Sequence, residues 1–208
     1  MKKFFVAMSI AAAGWLAAVP AQAAPLLSIV PSATSTTVGG PVSVDLVISG
    51  LTSVGEIVSG FDLDVFFDPA VLSASFLQTT TTPWGGSALV MLEQNFVAPG
   101  HVEFQLIALS DDATLAALQG DSFILSTIGF QGVADGFSNV NFGLDPDFER
   151  NVTGRRALSL GQGVQGTCIA VGAGSCVLAV PEPASVPLVL MALAAAGFVA
   201  RRRPQAKQ

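Results

Sequence analysis

Apolar and polar residues alternate along most of the middle of this chain. Val42, Val44, Leu46 and Ile48 alternate with Ser43, Asp45, Val47 and Ser49 after a Gly39-Gly40-Pro41 turn, the period-two signature of a half-buried strand. Phe61, Leu63, Val65 and Phe67 alternate with Asp62, Asp64 and Phe66. The two aspartates therefore share a face, which reads as the solvated side of a sheet. Val102, Phe104, Leu106 and Ala108 repeat the pattern, and a long run from Phe123 to Val133 follows a Gly120-Asp121 turn. Val140 and Phe142 predict another short strand, and Leu158 to Leu160, Val164 to Val171 and Val177 to Val180 complete the set. Only Ala113 to Leu118 has helical composition, enough for one or two turns. Many short strands separated by Gly, Pro, Asn and Asp, without a long helix, predict an all-β two-layer sandwich.

The two ends of the chain break this pattern. Lys2 and Lys3 precede an apolar segment from Phe4 to Val19, and Ala21-Gln22-Ala23 places small residues where signal peptidase needs them. Residues 1–23 therefore read as a signal peptide, with Ala21 and Ala23 at the cleavage site. At the other end Pro181-Glu182-Pro183 cannot continue a strand or enter a helix, since proline lacks the backbone donor. Ala184 to Ala200 is a run of seventeen residues without a charge, about 25 Å long as a helix and the lower limit for a membrane span. Arg201, Arg202 and Arg203 follow and act as a stop-transfer cluster, because cationic heads stay on the cytoplasmic side. Residues 204–208 form a cytoplasmic tail.

This order of tripeptide, apolar helix and arginine cluster, over residues 180–203, resembles the PEP-CTERM protein-sorting signal of bacteria with an outer membrane. The resemblance implies recognition of Pro181, Glu182 and Pro183 by an exosortase, a membrane enzyme associated with exopolysaccharide and biofilm production, and processing near the motif. An ordinary single-span anchor behind a proline-rich linker is the plainer alternative. The expected route is export by the general secretion pathway and residence in the inner membrane, with a periplasmic domain and a cytoplasmic C-terminus. Release to the cell surface or beyond follows processing.

Charge has to be read without these ends. Between Ala24 and Val180 three arginines, Arg150, Arg155 and Arg156, face fourteen acids, a net of −11 with no lysine. Such a surface repels phosphate backbones and excludes nucleic acid as a partner. The two cysteines of the chain, Cys168 and Cys176, both lie in the exported part and are expected to form a disulfide there. Two thiols without a neighbouring histidine fall short of the four ligands of zinc.

Within the domain, residues 60–72 (Gly60-Phe61-Asp62-Leu63-Asp64-Val65-Phe66-Phe67-Asp68-Pro69-Ala70-Val71-Leu72) resemble the strand and aromatic-Asp-Pro turn of cohesin domains. Gly100 to Phe104 and Asp121 to Phe130 occur in the order of that family's later strands. The resemblance, over residues 27–142, implies a cohesin-like jelly-roll β-sandwich spanning 24–179, related to carbohydrate-binding modules and without catalysis. It implies binding of another protein or a polysaccharide, but the chain has no dockerin repeat and the family's partner does not carry over. On the residues alone, Asp68 caps its own backbone, Pro69 fixes the next φ, and Val71 and Leu72 pin the turn to the core.

Catalytic patterns are weak. His101, the sole histidine, opens an alternating strand and reads as an exposed strand-end imidazole. Asp111 with Asp112, and Asp145 with Asp147, are loop acids that suit calcium or are simply solvated turns. No other metal or cofactor is implied. Gly161-Gln162-Gly163-Val164-Gln165-Gly166 has the dinucleotide spacing but opens no helix, and reads as a glycine turn. Asn151-Val152-Thr153 is a glycosylation sequon, of no consequence in the bacterial setting that the sorting-signal resemblance implies. Trp84 lies in a threonine-rich loop with no obvious core to enter. It is either an exposed glycan contact or a lid folded over the sandwich edge.

The combined expectation is an exported, non-enzymatic surface or matrix protein with exosortase and signal peptidase as processing partners. The alternative is a tethered carbohydrate-binding or protein-binding module.

Overall fold

The computed structural model describes residues 24–143 and 150–176. The predicted signal helix, the helix over 184–200, the strand at 177–180 and the loop acids Asp145 and Asp147 lie outside them. Among the described residues no helix is long and apolar enough to cross a membrane.

Two sheets pack face to face. The first orders β11 (Gly163–Gln165), β1 (Leu26–Pro31), β3 (Pro41–Ser49), β8 (Ser122–Gly132) and β5 (Leu72–Thr79). The second orders β2 (Ser35–Thr36), β12 (Thr167–Val171), β9 (Gly136–Phe142), β4 (Gly60–Phe66), β7 (His101–Ala108) and β6 (Val90–Ala98). A further strand, β10 (Arg150–Thr153), runs beside the first half of β4, and β9 pairs with its last two residues. Neighbours are antiparallel except β1 with β11 and β12 with β2. The predicted all-β sandwich is the fold, and among the described residues helices are confined to α1 (Leu51–Val54), α2 (Asp112–Leu118) and three short 3-10 turns.

The alternation read from the sequence explains the core. Val42, Val44, Leu46 and Ile48 of β3 point inward and are buried, as are Phe61, Leu63 and Val65 of β4 and Val102, Phe104 and Leu106 of β7. In β8 one residue of register is lost opposite Leu46 and Val47, a bulge that keeps Leu125 and Ile128 both inside. The Asp68-Pro69 turn forms as expected: the Asp68 carboxylate accepts from Ala70 N–H at 2.9 Å, and Val71 and Leu72 are buried.

Several expectations need correction. The run Val164 to Val171 is not one strand. It is split at Gly166 into β11 and β12, which belong to opposite sheets. A Cβ at Gly166 would lie 2.8 Å from the Val140 carbonyl, so the crossing needs glycine. The Gly163 segment is therefore a strand rather than a glycine turn. Leu158 to Leu160 forms only an isolated bridge between Ser159 and Thr153, after a 3-10 turn at Arg155–Ala157. Asn151 sits in β10, opposite Asp62.

Trp84 is also corrected. It is fully buried and cannot serve as an exposed glycan contact. The 3-10 turn Thr82–Trp84 drives the indole into the end of the sandwich, against Phe61 and Phe123 at ring separations of 5.8 and 5.5 Å. Its one polar atom, Nε1, donates to the Val58 carbonyl at 3.0 Å. With that donor satisfied nothing opposes burial of the ring. Gln119 completes the plug, since its side-chain amide both accepts from Val58 N–H and donates to Val58 C=O.

Candidate functional site

The outer face of the second sheet is the candidate site. On β4 and β7 the residues between the buried ones point away from the core: Asp62, Asp64 and Phe66, and His101, Glu103, Gln105 and Ile107. Beside them stand Glu93 and Asn95 of β6 and the exposed amides Asn139, Asn141 and Asn151. The face is rich in carboxylates and amides and carries one imidazole.

Its centre is more ordered than a solvated surface. Asp64 stands directly opposite Glu103 in the ladder, a like-charge pairing that costs stability. His101, two residues before Glu103 on β7, offsets this: its Nε2 lies 2.5 Å from Asp64 Oδ1. The imidazole stacks on Phe66 with ring centroids 4.2 Å apart. Under this cover Asp64 is only 7 % exposed. The reading of Asp64 as solvated, and of His101 as a free strand-end side chain, is thus replaced by a half-buried acid and imidazole pair. The sequence carried one clue: the lone histidine starts the strand that pairs with β4. The pairing register was needed to use it.

Gly143 closes the same spot from the far side. Its N–H donates to the Asp64 carbonyl, and a Cβ there would meet the Phe66 ring at 2.4 Å. Toward the other end of β4, Gln105 Nε2 donates to Asp62 Oδ2 at 3.2 Å. Here Asp62, Gln105, Ile107, Asn151 and Thr153 line a shallow depression of about 310 Å³.

The polar groups of this face do not assemble a hydrolytic triad or a metal centre among the described residues. His101 and Asp64 supply the base and orienting acid of a hydrolytic triad, but no hydroxyl or thiol hydrogen-bonds the imidazole among the described residues. No group of three or more metal-ligating side chains occurs among them either. Of the loop acids, Asp111 caps α2 by accepting from Thr114 N–H at 2.7 Å, and Asp112 accepts from Arg156 N–H at 3.2 Å. The capping bonds hold the Asp111 carboxyl below its ordinary pKa, and bonds from the Thr52 hydroxyl and backbone do the same for Asp121. Cys168 and Cys176 are joined as a disulfide with Cα atoms 5.8 Å apart, so the thiols are not metal ligands.

Solved structures of cohesin domains resemble this sandwich. The sandwich has the cohesin fold. A type II cohesin from the cellulosome of Acetivibrio cellulolyticus superimposes with a TM-score of 0.59 at 20 % identity, over 70 % of this chain and 95 % of that one. A cohesin from Clostridium acetobutylicum gives 0.56 at 18 %, over 73 % and 92 %. A third, from a type II cohesin–X–dockerin complex of Acetivibrio cellulolyticus, gives 0.58 at 14 %, over 71 % and 99 %. No curated protein matches the chain. Residues 179–203 match the family described as PEP-CTERM protein-sorting motif. The chain therefore carries that sorting motif behind a cohesin-like sandwich. Pro181, Glu182, Pro183 and Arg201 to Arg203 fall inside the match, and Ala21 and Ala23 at the other end of the chain, like them, lie outside the described residues.

Proposed function

We propose that this is an exported, non-enzymatic surface protein whose sandwich binds a partner protein through the outer face of the second sheet. The observation that supports it is the make-up of that face. Carboxylates and amides crowd the sheet around a fixed acid and imidazole pair, and the domain has no lysine. A partner presenting Arg, Lys and amide donors complements this chemistry and is drawn in by the field of the domain. The cohesin of the third structural match was solved with a dockerin, and binding by the same class of fold supports a protein ligand here. Burial of Trp84 removes the aromatic platform on which a sugar reading rested.

The sorting motif supports the route to the surface. In this reading signal peptidase cuts after Ala23, and the helix over 184–200 holds the domain on the outer side of the inner membrane while Arg201 to Arg203 stay inside. An exosortase then recognises Pro181-Glu182-Pro183 and processes the tail, in the setting of an exopolysaccharide matrix. Mass spectrometry of the exported protein tests this directly. The expected product lacks a peptide covering 184–203; its presence in the exported form overturns the sorting half. The binding half is tested with Glu103→Lys and Asn139→Lys. Both should weaken retention of the exported partner at least tenfold, while Gln131→Lys on the first sheet leaves it unchanged.

A further inference from the structure

We infer that the free edge of β6 is a self-association site, where a second copy of this chain pairs antiparallel and extends the second sheet. β6 is the last strand of its sheet, and among the described residues nothing pairs with its other side. Unprotected edges are templates for another chain. Most exposed edges are short or carry lysine or proline, yet β6 runs nine residues, Val-Met-Leu-Glu-Gln-Asn-Phe-Val-Ala, with neither. Met91, Leu92, Phe96 and Val97 are 62, 42, 57 and 49 % exposed.

Charge limits where two copies can meet, and the pairing register of β6 selects a second copy as the occupant. Two copies of a domain with net charge −11 repel each other, so they can meet only where carboxylates are sparse. Glu93 is the single charge on β6. The groove beside the strand, about 500 Å³ between β5 and β6, is lined by Phe67, Leu72, Phe96, Val97 and others, none of them charged. A second copy brings the same neutral, apolar strip and covers the groove mouth with its own Leu92 and Phe96.

The sequence of β6 also fixes one register. A two-fold axis perpendicular to the sheet keeps both outer faces on the same side and pairs residues of like orientation. Centred on Gln94, it sets Leu92 against Phe96 and Glu93 against Asn95, with Gln94 facing its own copy; Val97 lies in a bulge between Phe96 and Ala98 and is outside the regular ladder. Leu92 thus meets an aromatic ring, and each carboxylate meets an amide. Centring on Glu93 instead opposes two carboxylates and sets Leu92 against Gln94. Centring on Asn95 sets Phe96 against Gln94. Only the Gln94 register matches chemistry on both faces. The product is a continuous twelve-stranded sheet, since each copy contributes the six strands of the main path.

Directly opposed residues of an antiparallel pair have Cα atoms about 4.5 to 5.5 Å apart, within disulfide range. The test is therefore Gln94→Cys in the full-length chain, expressed in an exporting host, oxidised with copper phenanthroline and run on a non-reducing gel. A covalent dimer is expected as the major species. Gln131→Cys, exposed on the first sheet, should give at least tenfold less. Adding Met91→Lys or Leu92→Lys to Gln94→Cys should lower the dimer at least tenfold, with the Cys168–Cys176 linkage still found by mass spectrometry as proof of folding. If one lysine variant loses that linkage, the other decides. Absence of the Gln94→Cys dimer, equal dimer from Gln131→Cys, or insensitivity to a folded lysine variant overturns the proposal. None of these readouts involves the partner of the outer face.

Discussion

The two edges of the second sheet are built in opposite ways. At one, β12 is covered by the two-residue β2 and stitched by the Cys168–Cys176 disulfide, and Ile169, Ala170 and Val171 are buried. At the other, β6 is long and largely apolar, and among the described residues no strand pairs with its outer side. A sheet needs only its inner positions buried to be stable, so apolar residues left on an uncovered edge add little to folding. Their presence on β6 and not on β2 is accounted for by contact with something outside the domain.

The sharpest way to break this comparison is to put the same charge at both edges. Ile169→Lys buries an ammonium without a partner and should cost at least about 4 kcal/mol, enough to leave little folded protein. Phe96→Lys should change stability by no more than about 0.5 kcal/mol. Urea titrations followed by tryptophan fluorescence, on dilute protein, read both. Equal losses would mean that β6 is part of the core after all. Next in size is Trp84→Ala, which empties the plug between Phe61 and Phe123 and should cost about 3 to 5 kcal/mol; the same titration, read by circular dichroism, measures it. Cys176→Ser should lower stability by about 2 to 3 kcal/mol, the value expected of a loop this short. If the cost falls near zero, the covered edge owes its order to β2 and not to the clasp.

The smallest effect is a pH dependence away from both edges. The Asp121 carboxyl is held below its ordinary pKa by the Thr52 hydroxyl and N–H. It therefore contributes stability above the unfolded value near 3.8, and that contribution is lost as pH falls through the lower folded pKa. Acid unfolding of Asp121→Asn should lack this component. Identical acid profiles for the two proteins would show that the Thr52 bonds do not persist in solution.

The same contrast explains what the sequence revealed. β3, β4, β7 and β9 were legible because each buries one face and so alternates, and β8 was legible as a long apolar run whose bulge breaks the alternation. β5 and β6 were not, since Leu-Ser-Ala-Ser-Phe-Leu-Gln-Thr and Val-Met-Leu-Glu-Gln-Asn-Phe-Val-Ala lie at open margins where burial is partial on both faces. Phe76 shows why: it points outward and lies over Gly129, whose missing side chain makes room for the ring. Such a contact obeys no period. The outer face was half legible. The shared orientation of Asp62 and Asp64 followed from spacing, but the pairing of Asp64 with His101 depends on register between strands thirty-odd residues apart, which local pattern does not contain. Trp84 was left open between an exposed contact and a folded-over lid for a different reason: its polar neighbours describe the loop and not the ring, which burial settles in favour of the inward position.

In the proposed route, where the domain is held by its C-terminal end, the disulfide has a mechanical meaning. Because Cys176 is bonded to Cys168, the second residue of β12, tension arriving through residue 177 bypasses the seven residues between them. The pull enters a strand clamped between β9 and β2, instead of peeling a loose terminus, and the domain can be tugged from its tether without unravelling from that end.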